Sequence, residues 1–232
     1  GCDVVETNTF GANKIVFSDY GLENMVYDIN LRAARIAKKV AADFSEKTRF
    51  VSGSMGPGSK LPSLLHTTYD KLKDSYYMQA CGLIDGGVDL LQIETCQDML
   101  QAKAAYAGVS KALREKNTEL PVIIQVTMEN TGRMLLGSDM YAVIAAFSSF
   151  PLCGLGINCA TGPKAMSEHV RILSKHSPFP ISVLPNAGLP VLKNGKYIYD
   201  LTPRELASDL VKFVKDFGVN MVGGCCGTTP EY

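Results

Sequence analysis

Cys225 and Cys226 are adjacent in the chain and flanked by Gly223, Gly224 and Gly227, and a third cysteine, Cys159, closes the run Gly156-Ile157-Asn158-Cys159. Three thiolates brought to one point suit a soft or borderline ion, and with no histidine beside them zinc is the default choice. Such a site carries net negative charge and is a poor generator of hydroxide. An incoming thiol, mostly protonated when free at a pKa of ~8.5, can still ionise there and bind as a nucleophile. The chemistry expected of it is alkyl transfer to sulfur. The same residues admit two other readings. One is a pair of small residues in a turn whose glycines let the chain bend. The other is a vicinal disulfide, a strained geometry that a reducing compartment disfavours. The spacing lacks paired CxxC motifs, so by itself it leaves these open.

Glu94 ends the run Asp89-Leu90-Leu91-Gln92-Ile93, an expensive place for a carboxylate unless a cation meets it. It reads as the counter-ion of a substrate ammonium, as one half of a salt bridge, or as a contact with the start of the next helix. Glu6 has the same options and is also placed to cap the turn at Thr7-Asn8. The segment Gly53-Ser54-Met55-Gly56-Pro57-Gly58 offers backbone N–H groups that could cradle an anion, or simply turns the chain out of a strand. Cys2, Cys81 and Cys153 lie in apolar contexts and read as core residues, and Cys96 follows Glu94 closely. His66, His169 and His176 fall on loop or helix positions and read as capping or surface groups.

The elements that must position these residues alternate between short apolar runs and longer amphipathic stretches, the pattern of repeated βα units. Strands are predicted at Cys2 to Glu6, Phe50 to Gly53, Val88 to Glu94, Val122 to Thr127, Gly154 to Asn158, Ile181 to Leu184 and Val219 to Gly223. Helices are predicted at Leu22 to Phe44, Thr68 to Asp85, Asp98 to Lys116, Asp139 to Ser149, Pro163 to Ser174 and Pro203 to Phe217. Thr202 before Pro203, with Glu205 behind it, marks a helix start, and Gly218 marks its stop. The pattern Gly1-Cys2-Asp3-Val4-Val5 recurs at Gly87 and at Gly218, where it follows a helix, so the chain is expected to begin in the middle of a unit.

The 232 residues are 46% hydrophobic and 20% charged, and 23 basic residues balance 23 acidic ones. That is a globular composition long enough for a core without disulfide staples. It has no basic footprint for nucleic acid or an anionic membrane, and no apolar run of the ~20 residues needed to span a bilayer, so the expected partner is a small molecule. The odd count of seven cysteines, without the short regular spacing of a secreted framework, points to a reducing, cytoplasmic setting. A doubly wound sheet would carry a glycine-rich loop after its first strand, and the turn after Glu6 has no GxGxxG. The fold expected is an α/β (β/α)8 TIM barrel lacking its first strand and last helix, with its chemistry at the C-terminal strand ends. Glu6, Thr7, Asn8, Ser54, Glu94, Thr95, Thr127, Asn158, Cys159, Asn186, Cys225 and Cys226 collect there. Open strand edges should leave such a piece poorly stable alone.

Glu6 to Asn13 (ETNTFGAN), Ile93 to Asp98 (IETCQD), Gly156 to Pro163 (GINCATGP), Pro185 to Pro190 (PNAGLP) and Gly223 to Glu231 (GGCCGTTPE) resemble the homocysteine S-methyltransferase domain. Within that family they are most similar to the N-terminal module of cobalamin-dependent methionine synthases. The resemblance runs over residues 1–232 and implies a homocysteine-binding zinc barrel domain, incomplete at both ends, with Cys159, Cys225 and Cys226 as the ligands. Homocysteine would supply the fourth ligand through sulfur and leave as methionine. Glu94 would help hold the amino acid, and Asn186 would offer an oxygen to metal or substrate when the thiol is absent. Asn8 and Ser54 are further candidate substrate contacts. The implied donor is methylcobalamin, carried by a cobalamin-binding module of the same full-length protein beside a folate-binding one. The hairpin expected around Asn194-Gly195 would form part of the contact surface. Betaine or S-methylmethionine are the alternative donors. A barrel with a purely structural zinc is a further alternative, but no fourth cysteine or histidine sits at a neighbouring strand tip. The family's first-strand Asp-Gly motif has no counterpart here, so the amino-acid site is expected to be incomplete.

Overall fold

The computed structural model describes residues 1–44, 46–193 and 195–232. They form two compact units, Gly1–Ile123 and Ile124–Tyr232.

In the first unit β1 (Val4–Glu6) leads through α1 (Lys14–Ser18) and α2 (Val26–Ala42) to β2 (Phe50–Met55), then α3 (Tyr69–Asp85), β3 (Leu90–Cys96) and α4 (Met99–Glu115). The strands are parallel, with Val4 opposite Phe50 and Ser52 opposite Leu90. Local chemistry starts each helix. Asn13 Oδ1 accepts from the N–H groups of Ile15 and Val16, Thr68 caps α3, and Asp98 accepts from Leu100 N–H at the head of α4. Alternation sorts the strand side chains. Val51, Met55, Leu91 and Ile93 are fully buried apolar groups, and Leu83 of α3 stands 3.0 Å from where a Cβ on Gly53 would lie. The intervening positions are Ser52, Ser54, Gln92 and Glu94, equally hidden from water. One strand face therefore packs on helices, and the other is a buried polar layer.

β4 (Val122–Val126) starts in the first unit and runs into the second, which continues with α5 (Met140–Phe147), β5 (Gly154–Asn158), α6 (Pro163–His176) and β6 (Ile181–Leu184). An antiparallel pair, β7 (Val191–Lys193) and β8 (Lys196–Ile198), precedes α7 (Pro203–Phe217) and β9 (Met221–Val222). β6 lies between β5 and β9, parallel to both. The capping box of Thr202 and Glu205 and the left-handed Gly218 bound α7 as expected. Phe147, Leu155, Ile157, Met166 and Val170 form the core of this unit.

The order of strands and helices is that predicted, with differences at the ends. α1 was not anticipated, because its five residues are too short to show a period. β9 keeps only two of the five residues expected. Cys81 is buried, but Cys2 and Cys153 are exposed and not core residues. Cys2 precedes the first ladder pair at Val4, and beside Cys153 it is Leu152 that turns inward. The strands flanking the expected hairpin are present, while Asn194 itself lies outside the described residues.

Gly156 sits opposite Ser182, and a Cβ on it would fall 1.8 Å from the Ser182 carbonyl oxygen. Gly156→Ala must push β5 from β6, and such overpacking costs about 1–3 kcal/mol. The thermal midpoint should fall by several degrees, which a circular-dichroism melt reads directly.

Candidate metal and substrate site

β5 carries the chain to Asn158, and Cys159 follows at φ +61°, with Ala160 at φ +59°. Two successive non-glycine residues in the left-handed region turn the cysteine out of the strand direction, a strain that surrounding bonds must hold. Those bonds run from Cys159 N–H to the Leu184 carbonyl at 3.1 Å and from Thr161 N–H to the Cys159 carbonyl at 2.7 Å. Beyond β9, Cys225 N–H donates to the Pro185 carbonyl at 2.8 Å, Cys226 N–H to Asn186 Oδ1 at 3.0 Å, and Ala187 N–H to the Cys226 carbonyl at 2.9 Å.

The sulfurs of Cys159, Cys225 and Cys226 consequently lie within 4.8 Å of one another, with Cys159 Sγ and Cys226 Sγ 3.7 Å apart. All three are free thiols, so the vicinal disulfide is not formed. The glycines around them do more than bend the chain. A Cβ on Gly224 would stand 2.3 Å from Thr228 Cγ2, and one on Gly227 2.2 Å from Tyr199 Cγ, so the loop is packed too closely for any side chain.

Charge couples the three sulfurs. A hydrogen bond from the Cys225 thiol, seconded by the Ala160 N–H, brings Cys159 down to about 6 against the opposing effect of burial. Cys225 is pushed far up, first by giving that hydrogen bond and then by burial. Burial and the Cys159 charge raise Cys226. One sulfur ionises readily and its neighbours then resist, so a cation is what would let all three be thiolates together. A tetrahedral Zn2+ with Zn–S bonds of about 2.3 Å sets sulfurs about 3.8 Å apart, and the Cys159–Cys226 spacing fits such an ion. Among the described residues this is the one cluster of three or more His, Cys, Asp or Glu side chains able to hold a metal.

In the first unit, Glu94 is 4% exposed and accepts a hydrogen bond from Ser54 Oγ. The next residue, Thr95, is at φ +57°, an uncommon conformation for a β-branched side chain and one that ends the strand at Glu94 with a sharp change of direction. Glu94 does not cap the following helix, since Asp98 does. Gln92 Nε2 donates to Glu6, whose carboxylate is thus engaged by β3. Asn8 is exposed between the buried Thr7 and Thr9. The Gly53 to Gly58 segment favours the plain turn over the anion cradle. Ser54 N–H donates to Thr7 Oγ1 at 3.1 Å and Gly56 N–H to the Phe10 carbonyl at 3.0 Å. Asn186 is 4% exposed, and its oxygen already receives the Cys226 N–H. Sequence reasoning did not find Tyr199, which lies in the unremarkable run Lys196-Tyr197-Ile198-Tyr199-Asp200.

Residues 1–232 match the homocysteine S-methyltransferase family. The chain belongs to this family of methyltransferase enzymes. It is 49% identical over 234 residues to a methionine synthase of Mycobacterium leprae, covering 100% of this chain and 19% of that protein. It is 47% identical to the methionine synthase of Mycobacterium tuberculosis, of which it covers 20%. The chain thus spans about a fifth of the length of these relatives. Among solved structures it is similar to the metallated form of the Escherichia coli homocysteine methyltransferase MmuM, with a TM-score of 0.78 at 22% identity over 99% of this chain and 77% of that one. The apo form of MmuM gives 0.70 at 21% identity. These likenesses show the fold. Among the described residues no helix is long and apolar enough to cross a membrane.

The coupling of the sulfurs has a measurable consequence in metal-free protein. Iodoacetamide, read residue by residue by mass spectrometry, should modify Cys159 with a rate that rises through a midpoint of about pH 6. Cys225 and Cys226 should stay slow well above pH 8. Cys225→Ala removes the first cause of the lowered value and should return the Cys159 midpoint towards the ordinary thiol range near ~8.5.

Proposed function

We propose that this domain binds homocysteine and a zinc ion and transfers a methyl group to the homocysteine sulfur, giving methionine. The observation that carries the reading is the sulfur trio, whose members lie within 4.8 Å of one another in a chain of the homocysteine S-methyltransferase family. The scaffold proposed for it is a (β/α)8 barrel, supported by the parallel βα order and the likeness to MmuM.

Cys159, Cys225 and Cys226 would hold the ion, and when bound it supplies positive charge that favours the thiolate form of an added thiol. The remaining work falls to the chain. Asn186 fixes the Cys226 backbone, and the left-handed turn at Cys159 aims its sulfur at the other two. Glu94, its rotamer held by Ser54, takes the substrate ammonium, and Asn8 offers a further polar contact beyond β1. The homocysteine sulfur attacks the methyl carbon in line. The new S–C bond forms as the methyl leaves its donor, whose bonding pair stays with the donor. The product is a thioether, a far poorer ligand for a cation than a thiolate, which favours release.

Methylcobalamin is the donor we favour, delivered in the cytoplasm by another module of a longer protein that also carries a folate-binding module. The methionine synthases that match here are about five times the length of this chain, which supports a multi-module arrangement. Betaine and S-methylmethionine remain the competing donors. A purely structural zinc would need a fourth protein ligand, and the cluster among the described residues supplies three.

Two measurements test this. Serine at Cys159, Cys225 or Cys226 should abolish stoichiometric zinc binding, and homocysteine added to zinc-loaded wild type should release about one proton per site at neutral pH. Methionine formed with methylcobalamin, but not with betaine or S-methylmethionine, identifies the donor. Zinc-loaded protein that releases no proton and uses none of the three would overturn the enzymatic reading. Separately, Glu94→Gln leaves an ammonium without its buried partner, a loss of roughly 2–5 kcal/mol. Homocysteine binding by calorimetry should weaken more than tenfold, while zinc stoichiometry stays at the wild-type value.

A further inference from the structure

The β7–β8 pair leads straight to the sulfur cluster. On it, Leu192 and Tyr197 are 62% and 72% exposed, whereas Tyr199, the first residue past β8, is half-buried. Its ring lies on Gly227. A Cβ there would stand 2.2 Å from Tyr199 Cγ and 2.5 and 2.6 Å from the two Cδ atoms, and Gly227 follows Cys226 directly. The segment carrying the tyrosine is tied to the strand end that holds Cys226. Leu201 N–H donates to the Ala187 carbonyl at 3.2 Å, and Ala187 N–H donates to the Cys226 carbonyl at 2.9 Å. Asp200 closes over Gly188, where a Cβ would meet its Oδ1 at 2.6 Å, and the Tyr232 hydroxyl donates to the Leu201 carbonyl. Ring and backbone therefore reach the same cysteine from two sides. The phenol is kept protonated, first by burial and then by the charges of Cys226, Cys159 and Cys225, and its hydroxyl is in hydrogen-bonding contact with Cys226. Cys226 is the exposed member of the trio, the one with most need of a fixed partner.

We propose that Tyr199 is a positioning residue for Cys226: its ring clamps the Gly227 turn while its hydroxyl donates to the Cys226 sulfur. This role rests on the reading of the three sulfurs as metal ligands. A donor on a ligating sulfur orients its lone pairs and draws charge from it, and partners of this kind are typically worth about 10–100-fold in metal affinity.

The test uses Co2+ as an optical probe in place of zinc, with the thiolate-to-cobalt absorption band as readout. Tyr199→Phe keeps the ring on Gly227 and removes only the hydroxyl. Its sulfur lone pairs rise in energy, so the band should move to longer wavelength and Co2+ affinity should fall about tenfold or more, with the thermal midpoint unchanged. Tyr197→Phe, on the exposed part of the same strand, should leave the band at its wild-type position. A wild-type band that stays put in Tyr199→Phe overturns this role and leaves the metal reading standing. Wild type with no thiolate-to-cobalt band overturns both.

Discussion

Four consecutive residues, Leu184 to Ala187, hold both cysteine-bearing segments at once. The Leu184 carbonyl takes the Cys159 N–H, the Pro185 carbonyl takes that of Cys225, the Asn186 side chain takes that of Cys226, and the Ala187 N–H returns to the Cys226 carbonyl. β6 can do this because it is the strand between β5 and β9. A one-residue slip on either side would turn the side chains to the opposite face and disperse the sulfurs. The close approach of Gly156 to the Ser182 carbonyl belongs to the same constraint, since it seats β5 against β6 and so settles where Cys159 emerges.

Holding three thiols this close has an electrostatic cost that shapes the site. The first proton leaves easily because a neighbouring thiol stabilises the charge, and each later one leaves against it. An empty trio is therefore a mixed set of thiol and thiolate, and a divalent cation is the natural counterweight. The first unit solves a related problem differently. Its buried carboxylate at Glu94 sits in a polar layer with Ser54, Ser52 and Gln92, so a charge hidden from water keeps hydrogen-bonding company.

Crowding, more than flexibility, explains the glycines of the Gly223 to Gly227 loop. Thr228 occupies the space a side chain at Gly224 would need, and Tyr199 occupies that at Gly227. A loop filled this way has little freedom to let the sulfurs drift. The surface pair β7–β8 becomes part of the site through the one side chain it places beneath itself.

Local signals in the sequence determined a good deal. The Thr202 and Glu205 box, the Gly218 stop, the Asp98 and Asp139 helix starts and the apolar strand runs are contacts between near neighbours, so they can be read in one dimension, and the structure honours them. The spacing of cysteines and glycines also named the trio before any coordinates. Other features were decided only by tertiary structure. That Glu6 answers to Gln92, that Asn186 spends its oxygen on Cys226, that Cys2 and Cys153 face solvent, and that Tyr199 rests on Gly227 all depend on which strands pair and in what register. Periodicity and caps describe how a segment behaves by itself. The meeting of residues dozens of positions apart is set by packing between segments, and nothing in the local pattern of either one encodes it.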